Sequence, residues 1–163
     1  MKRCMFIDDS SVIRKVAKRI LGGPDMLVIE AASGFDAIEM CAADMPDIII
    51  VDGALPDMQA VDVIRRLRAM ASPIQPQILI SLVEVEVAAI MKAKRAGAQG
   101  YLLKPFNRPQ LLECFRNLKI ASDARSRVAV QKQNPAESRV FVGNQSKEGF
   151  QALTRISSGS RST

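Results

Sequence analysis

Residues 48–51, Ile-Ile-Ile-Val, are four consecutive β-branched residues, and Asp52 ends the run. A strand with one wet face alternates apolar and polar residues; a strand apolar at every position is covered on both faces. Such strands belong inside parallel sheets, whose crossover connections lay helices over both sides. This run therefore argues against a one-sided antiparallel sheet and against a helical bundle. It predicts that the rest of the chain alternates short apolar runs with amphipathic helices.

The alternation is present. Apolar runs occur at 3–7 (RCMFI), 26–32 (MLVIEAA), 47–52 (DIIIVD), 77–82 (QILISL) and 100–104 (GYLLK). Between them lie helical patterns. Val12, Ile13, Val16, Ala17 and Ile20 mark a helix over about 11–21, stopped by Gly-Gly-Pro at 22–24. Ser33 is placed to cap a helix in which Ile38, Ala42 and Met45 are expected to face inward. Val63, Ile64, Leu67 and Met70 line one side of 60–70. The stretch 83–98 begins like a strand, but its length and its Ala and Lys content favour a helix, which Gly97 stops. Leu111, Leu112, Phe115 and Leu118 form a stripe on 108–120, with Pro109 tolerated in the first turn. Five βα units in about 120 residues are too few for an eight-fold barrel. They suit an α/β, (βα)5 flavodoxin-like doubly wound parallel sheet with strand order 2-1-3-4-5.

Residues 121–163 differ in composition, being rich in Ser, Arg, Gln, Asn and Gly. They carry 7 basic and 3 acidic side chains, against 16 and 14 in residues 1–120, so most of the net charge of +6 lies there. The expected organisation is a domain at 1–120 and a basic, mostly disordered extension at 121–163, with a short helix over about 146–156 as an option. Forty-three residues without a helix-turn-helix pattern, in a chain with no Trp and few aromatics, make nucleic acid an unlikely partner beyond weak, salt-sensitive binding by the tail. No signal sequence and no apolar run long enough to span a membrane is present, so no membrane insertion is expected. Cys4, Cys41 and Cys114 form no C-x-x-C pair and read as reduced packing residues of a cytoplasmic protein.

In open α/β sheets ligands bind beyond the carboxyl ends of the strands. The residues expected there are Asp8 and Asp9 after strand one, Asp52 after strand three, Ser81 in strand four and Lys104 after strand five. Singly, each has an ordinary explanation as a cap or loop residue. Together they bring three acids, a hydroxyl and an ammonium to one rim. Three close carboxylates repel one another unless a cation stands among them. An all-oxygen set, in a chain with no histidine at all, favours a hard ion, Mg²⁺ before zinc. Acids, divalent ion, lysine and hydroxyl make a phosphoryl-transfer kit, in which a carboxylate nucleophile would form an acyl phosphate. Any histidine chemistry must come from a partner.

With the stretches FIDDSSVIRKV, IIIVDGALPDM, ILIS and AGAQGYLLKPF in these positions, the chain resembles the receiver domain of two-component response regulators, the CheY-like superfamily. The resemblance covers residues 1 to about 120. It implies that Asp52 is the phosphoacceptor and that Asp9 and Asp52 ligate Mg²⁺, with Asp8 acting through water. The backbone carbonyl of Ala54 would supply a further ligand. Ser81 would be the switch hydroxyl, Tyr101 the aromatic that swings inward with it, and Lys104 the partner of the phosphoryl group, with a cis Lys104–Pro105 bond. The phosphodonor would be a histidine kinase or histidine phosphotransfer protein. A downstream protein target would bind the face around 84–119. The protein would be a phosphorelay switch and not a turnover enzyme.

Some positions depart from the family pattern. Gly53 and Ala54 follow the acceptor, Leu82 stands where a small residue is usual, and Val83 stands where a polar one is common. These predict slow loss of the phosphoryl group and a narrowed entrance. Three rival readings make different demands on the same residues. A flavodoxin-like electron carrier would need a phosphate-binding loop where two acids stand. A DNA-binding regulator would rely on the basic tail. A docking-only receiver would not need the intact kit.

Overall fold

The computed structural model describes residues 1–118 and the pair Val142–Gly143. In chain order the elements are β1 (Lys2–Ile7), α1 (Ser11–Leu21), β2 (Met26–Ala31), α2 (Gly34–Ala43), β3 (Ile48–Asp52) and α3 (Ala60–Ala69). They continue with β4 (Gln77–Leu82), α4 (Val87–Ala96), β5 (Gly100–Leu103), α5 (108–118) and β6 (Val142–Gly143). The first five strands are parallel in the expected order, β2-β1-β3-β4-β5. The unforeseen addition is β6, which pairs in parallel with β5 through Gly100 with Val142 and Tyr101 with Gly143. At that pair the extension joins the sheet; the expected disorder and the optional helix at 146–156 fall outside the described residues.

The apolar strands are explained by what covers them. Successive side chains of a strand point to opposite faces. On one face Cys4, Phe6, Ile48, Ile50, Leu79 and Leu102 pack with Ala17 and Leu21 of α1 and with Leu111, Cys114, Phe115 and Leu118 of α5. On the other, Met5, Ile7, Ile49, Val51, Ile78 and Ile80 pack with α2, α3 and α4. Every residue of β3 is buried. All three cysteines are buried free thiols within these layers. Burial raises their pKa values, to about 11 for Cys41 and about 12 for Cys114, so none is poised as a thiolate.

Helix starts and stops follow local chemistry. Ser10 Oγ accepts from the Ile13 amide at 3.4 Å, and Ser33 Oγ from the Asp36 amide at 3.1 Å, as expected of N-caps. Gly97, at φ 121°, closes α4 in a conformation that disfavours side chains.

Three details correct the sequence reading. On α2 the buried residues are Gly34, Ala37 and Cys41; of the three expected to face inward, Met45 is in the core and Ile38 packs against it, but Ala42 is exposed. Small residues let this helix sit close to the sheet, so its inner stripe is weakly apolar and easily misplaced by one position. On α1, Val12 and Val16 remain exposed while Ala17 and Leu21 face inward. The stretch 83–86 is neither strand nor helix, and α4 begins only at Val87.

The loop after β3 is pinned to the start of α2 by one side chain. Asp57 Oδ1 accepts from the Gly34 amide at 3.0 Å and Oδ2 from the Phe35 amide at 2.9 Å. Slight burial would raise the Asp57 pKa, but bonds from the Gly34, Phe35, Asp57 and Met58 amides outweigh it and lower the pKa. A depressed carboxylate contributes stability above the ordinary carboxylate range and loses it as pH falls through the folded value. Asp57→Ala should therefore cost about 1 kcal/mol in urea unfolding at neutral pH, as for loss of a helix cap. The difference from wild type should shrink as pH drops below 3.8.

Candidate functional site

The rim at the carboxyl ends of the strands follows from the same alternation. Asp8 continues the row of Cys4 and Phe6, Asp52 that of Ile48 and Ile50, Ser81 that of Leu79, and Lys104 that of Leu102. Register sets Asp52 beside Ser81, and Ser81 beside Leu102. Polar groups thus end four rows that are otherwise core.

Asp8, Asp52 and Ser81 are the buried polar residues among those described, at 2%, 3% and 3% exposure. A buried carboxylate is costly unless paired and hydrogen-bonded. Lys104 Nζ lies 2.9 Å from Asp52 Oδ1 and 3.1 Å from Asp8 Oδ2. The Ser10 amide donates to Asp8 Oδ1 at 2.8 Å, and the Ala54 amide to Asp52 Oδ1 at 3.1 Å. Burial alone would lower the Lys104 pKa; the hydrogen bonds and charges of Asp52 and Asp8 reverse this and raise it. The lysine stays charged.

Asp9 is exposed at the mouth. It, Asp8 and Asp52 each offer a carboxylate oxygen within 4.8 Å of the others'. Three acids against one ammonium leave an excess of negative charge. This hard, all-oxygen set fits a divalent cation such as Mg²⁺.

The structure brings together Asp8, Asp9, Asp52 and Lys104, with Ser81 on the adjoining strand. The Gly53 amide donates to the Ser81 carbonyl at 2.8 Å, which ties the chain leaving β3 to β4. Ala54 follows at once. The Lys104–Pro105 peptide is cis. Tyr101 is 1% exposed and packs on the opposite face of the sheet from the rim, with its pKa raised by burial.

Two features escaped the sequence reading. Arg14 is a basic residue on a largely exposed helix, yet its side chain is only 15% exposed. Its Nη1 donates to the Asp8 carbonyl at 2.6 Å, and its Nε lies 3.4 Å from Glu30 Oε1. Helical side chains lean toward the helix N-terminus, so an arginine one turn inside α1 can reach back over the loop before it. The second feature is a matched pair. A Cβ on Gly53 would lie 2.6 Å from Leu82 Cδ2 and 3.0 Å from the Ser81 carbonyl oxygen. Leu82 leans over the residue after Asp52, so a side chain there must displace it.

A family profile described as "Response regulator receiver domain" matches residues 4–116. The chain belongs to the response regulator receiver family. It is 32% identical over 116 residues to the response regulator MprA of Mycobacterium ulcerans, covering 71% of this chain and 49% of that protein. It therefore spans about half the length of that relative. It is 26% identical over 117 residues to the chemotaxis protein CheY of Halobacterium salinarum, covering 72% of this chain and 96% of CheY. Among solved structures, the chemotaxis response regulator CheY4 of Vibrio cholerae superposes with a TM-score of 0.67 at 28% identity, covering 72% of this chain and 98% of CheY4.

Within this family member the Gly53–Leu82 fit makes a direct prediction. Gly53→Ala must displace Leu82 or the β4 backbone and should destabilise by about 1–2 kcal/mol. A double-mutant cycle with Leu82→Ala, measured by urea unfolding, should show a coupling of about 1 kcal/mol, the Cβ being tolerated once Leu82 is trimmed.

Proposed function

We propose that the protein is a phosphorylation-activated switch of a two-component pathway, with Asp52 as the phosphoacceptor. The observation that carries this reading is the Lys104 ammonium held between Asp52 and Asp8 at a rim that Asp9 completes. An Asp52 oxygen attacks the phosphorus of a partner's phosphohistidine. The P–N bond breaks, the imidazole leaves and takes a proton, and an acyl phosphate forms on Asp52. The donor is a histidine kinase or histidine phosphotransfer protein, since this chain has no histidine. Asp9, Asp52 and the Ala54 carbonyl would hold Mg²⁺, with Asp8 acting through water. Mg²⁺ bound there neutralises charge on the phosphoryl oxygens.

Once Asp52 is phosphorylated, Lys104 turns to a phosphoryl oxygen and the Ser81 hydroxyl donates to another. Ser81 lies on β4, paired to β5, so its movement is felt at Tyr101. The face around 84–119 then presents itself to a downstream protein. One phosphoryl group is taken per molecule, without turnover. Among the described residues no helix is long and apolar enough to cross a membrane. With its three free thiols, we read the protein as cytoplasmic.

Intact mass after incubation with Mg²⁺ and a small phosphodonor should show one added phosphoryl group. Asp52→Asn should abolish it, and unchanged labelling of that variant would overturn the assignment. The label should also be long-lived. Hydrolysis needs a water held in line, and the exposed Ala54 and Val83 beside the site carry no polar side chain to hold it. The phosphoprotein should persist for minutes without a phosphatase; loss within seconds would contradict this.

A further inference from the structure

The carboxylate of Asp9 accepts no hydrogen bond from any described residue, so its aim depends on the backbone that carries it. That backbone is held on both sides of Asp8, at the Ile7–Asp8 and the Asp8–Asp9 peptides. The Asp8 amide donates to the Ala31 carbonyl at 3.1 Å, and the Asp8 carbonyl accepts from Arg14 Nη1 at 2.6 Å. The second bond fixes the plane of the Asp8–Asp9 peptide. Turning that plane would swing Asp9 away from Asp52.

Arg14 is itself held. Glu30 Oε1 lies 3.4 Å from its Nε, and Glu30 pairs with Phe6 in the β1–β2 ladder. Its Nε is buried with no hydrogen-bond partner. The side chain, 15% exposed, thus spends Nη1 on the Asp8 carbonyl while its buried Nε finds no hydrogen-bond acceptor. A residue kept only for surface charge would not be placed so.

We propose that Arg14 is a positioning residue for the divalent cation site, acting through the Asp8 carbonyl to aim Asp9. This rests on the reading of Asp8, Asp9 and Asp52 as a Mg²⁺ site. The proposal is separable from simple electrostatics by sign. Removing a positive charge near a cation site, with Glu30 still paired to Lys18 Nζ at 3.4 Å, would by charge alone tighten Mg²⁺ binding. Loss of positioning weakens it.

The test is a Mg²⁺ titration of the full chain at constant ionic strength, followed by backbone amide chemical shifts. Arg14→Met should bind Mg²⁺ about tenfold more weakly, the scale seen when a group behind a metal ligand is removed. Arg14→Gln, a smaller perturbation, should also weaken binding and carries the test if the methionine variant does not fold. Arg14→Lys, which keeps a donor able to reach the Asp8 carbonyl, should recover part of the loss. Equal or tighter binding in Arg14→Met or Arg14→Gln overturns the proposal. Asp9→Asn separates the two levels. If it loses Mg²⁺ binding while the Arg14 variants keep it, only the positioning role fails. If it binds like wild type, the cation-site reading fails and the proposal with it.

Discussion

The Lys104 ammonium, 2.9 Å from Asp52 and 3.1 Å from Asp8, is what allows two carboxylates to be buried at the ends of neighbouring strands. Without it each would be an uncompensated charge in a core of Phe, Ile and Leu. With it the group is still one negative charge in excess, and Asp9 adds another at the mouth. Strand pairing fixes the lysine's height: the Lys104 amide donates to the Leu82 carbonyl at 2.7 Å, directly after Ser81. Sheet register and site electrostatics are the same constraint seen from two sides.

Much of this was legible in the chain because the governing rule is local. Four β-branched residues at 48–51 require cover on both faces, which requires helices, which require a parallel sheet. In such a sheet the apolar rows must end somewhere, and Asp8, Asp52, Ser81 and Lys104 mark the ends. The positions of Arg14, Asp57 and β6 were not legible for the opposite reason. Each depends on a contact with a segment remote in sequence or on a side-chain direction that periodicity does not carry. Asp57 bonds amides 22 and 23 residues away, and β6 pairs with a strand about 40 residues earlier. On α2 only Ala42 falls off the expected stripe, because the buried Ala37 and Cys41 serve close approach and not apolar bulk.

The residues that follow Asp52 and Ser81 fit one another: Leu82 Cδ2 stands 2.6 Å from where a Cβ on Gly53 would lie. Ala54, whose amide bonds Asp52, and Val83, 71% exposed just after β4, carry no hydrogen-bonding side chain. The proposed chemistry needs only Asp52, Lys104, Ser81 and the acid pair. On the proposed reading, these neighbours bear on who reaches the acceptor and how long the phosphoryl group remains.

The most direct measurement is a crystal structure of the full chain with Mg²⁺ and beryllofluoride, a stand-in for the phosphoryl group. The account predicts beryllium bonded to an Asp52 carboxylate oxygen. It also predicts Mg²⁺ against Asp9, Asp52 and the Ala54 carbonyl, with fluorides contacting Lys104 Nζ and Ser81 Oγ. Beryllofluoride on another carboxylate, or Mg²⁺ bound away from this rim, would contradict it.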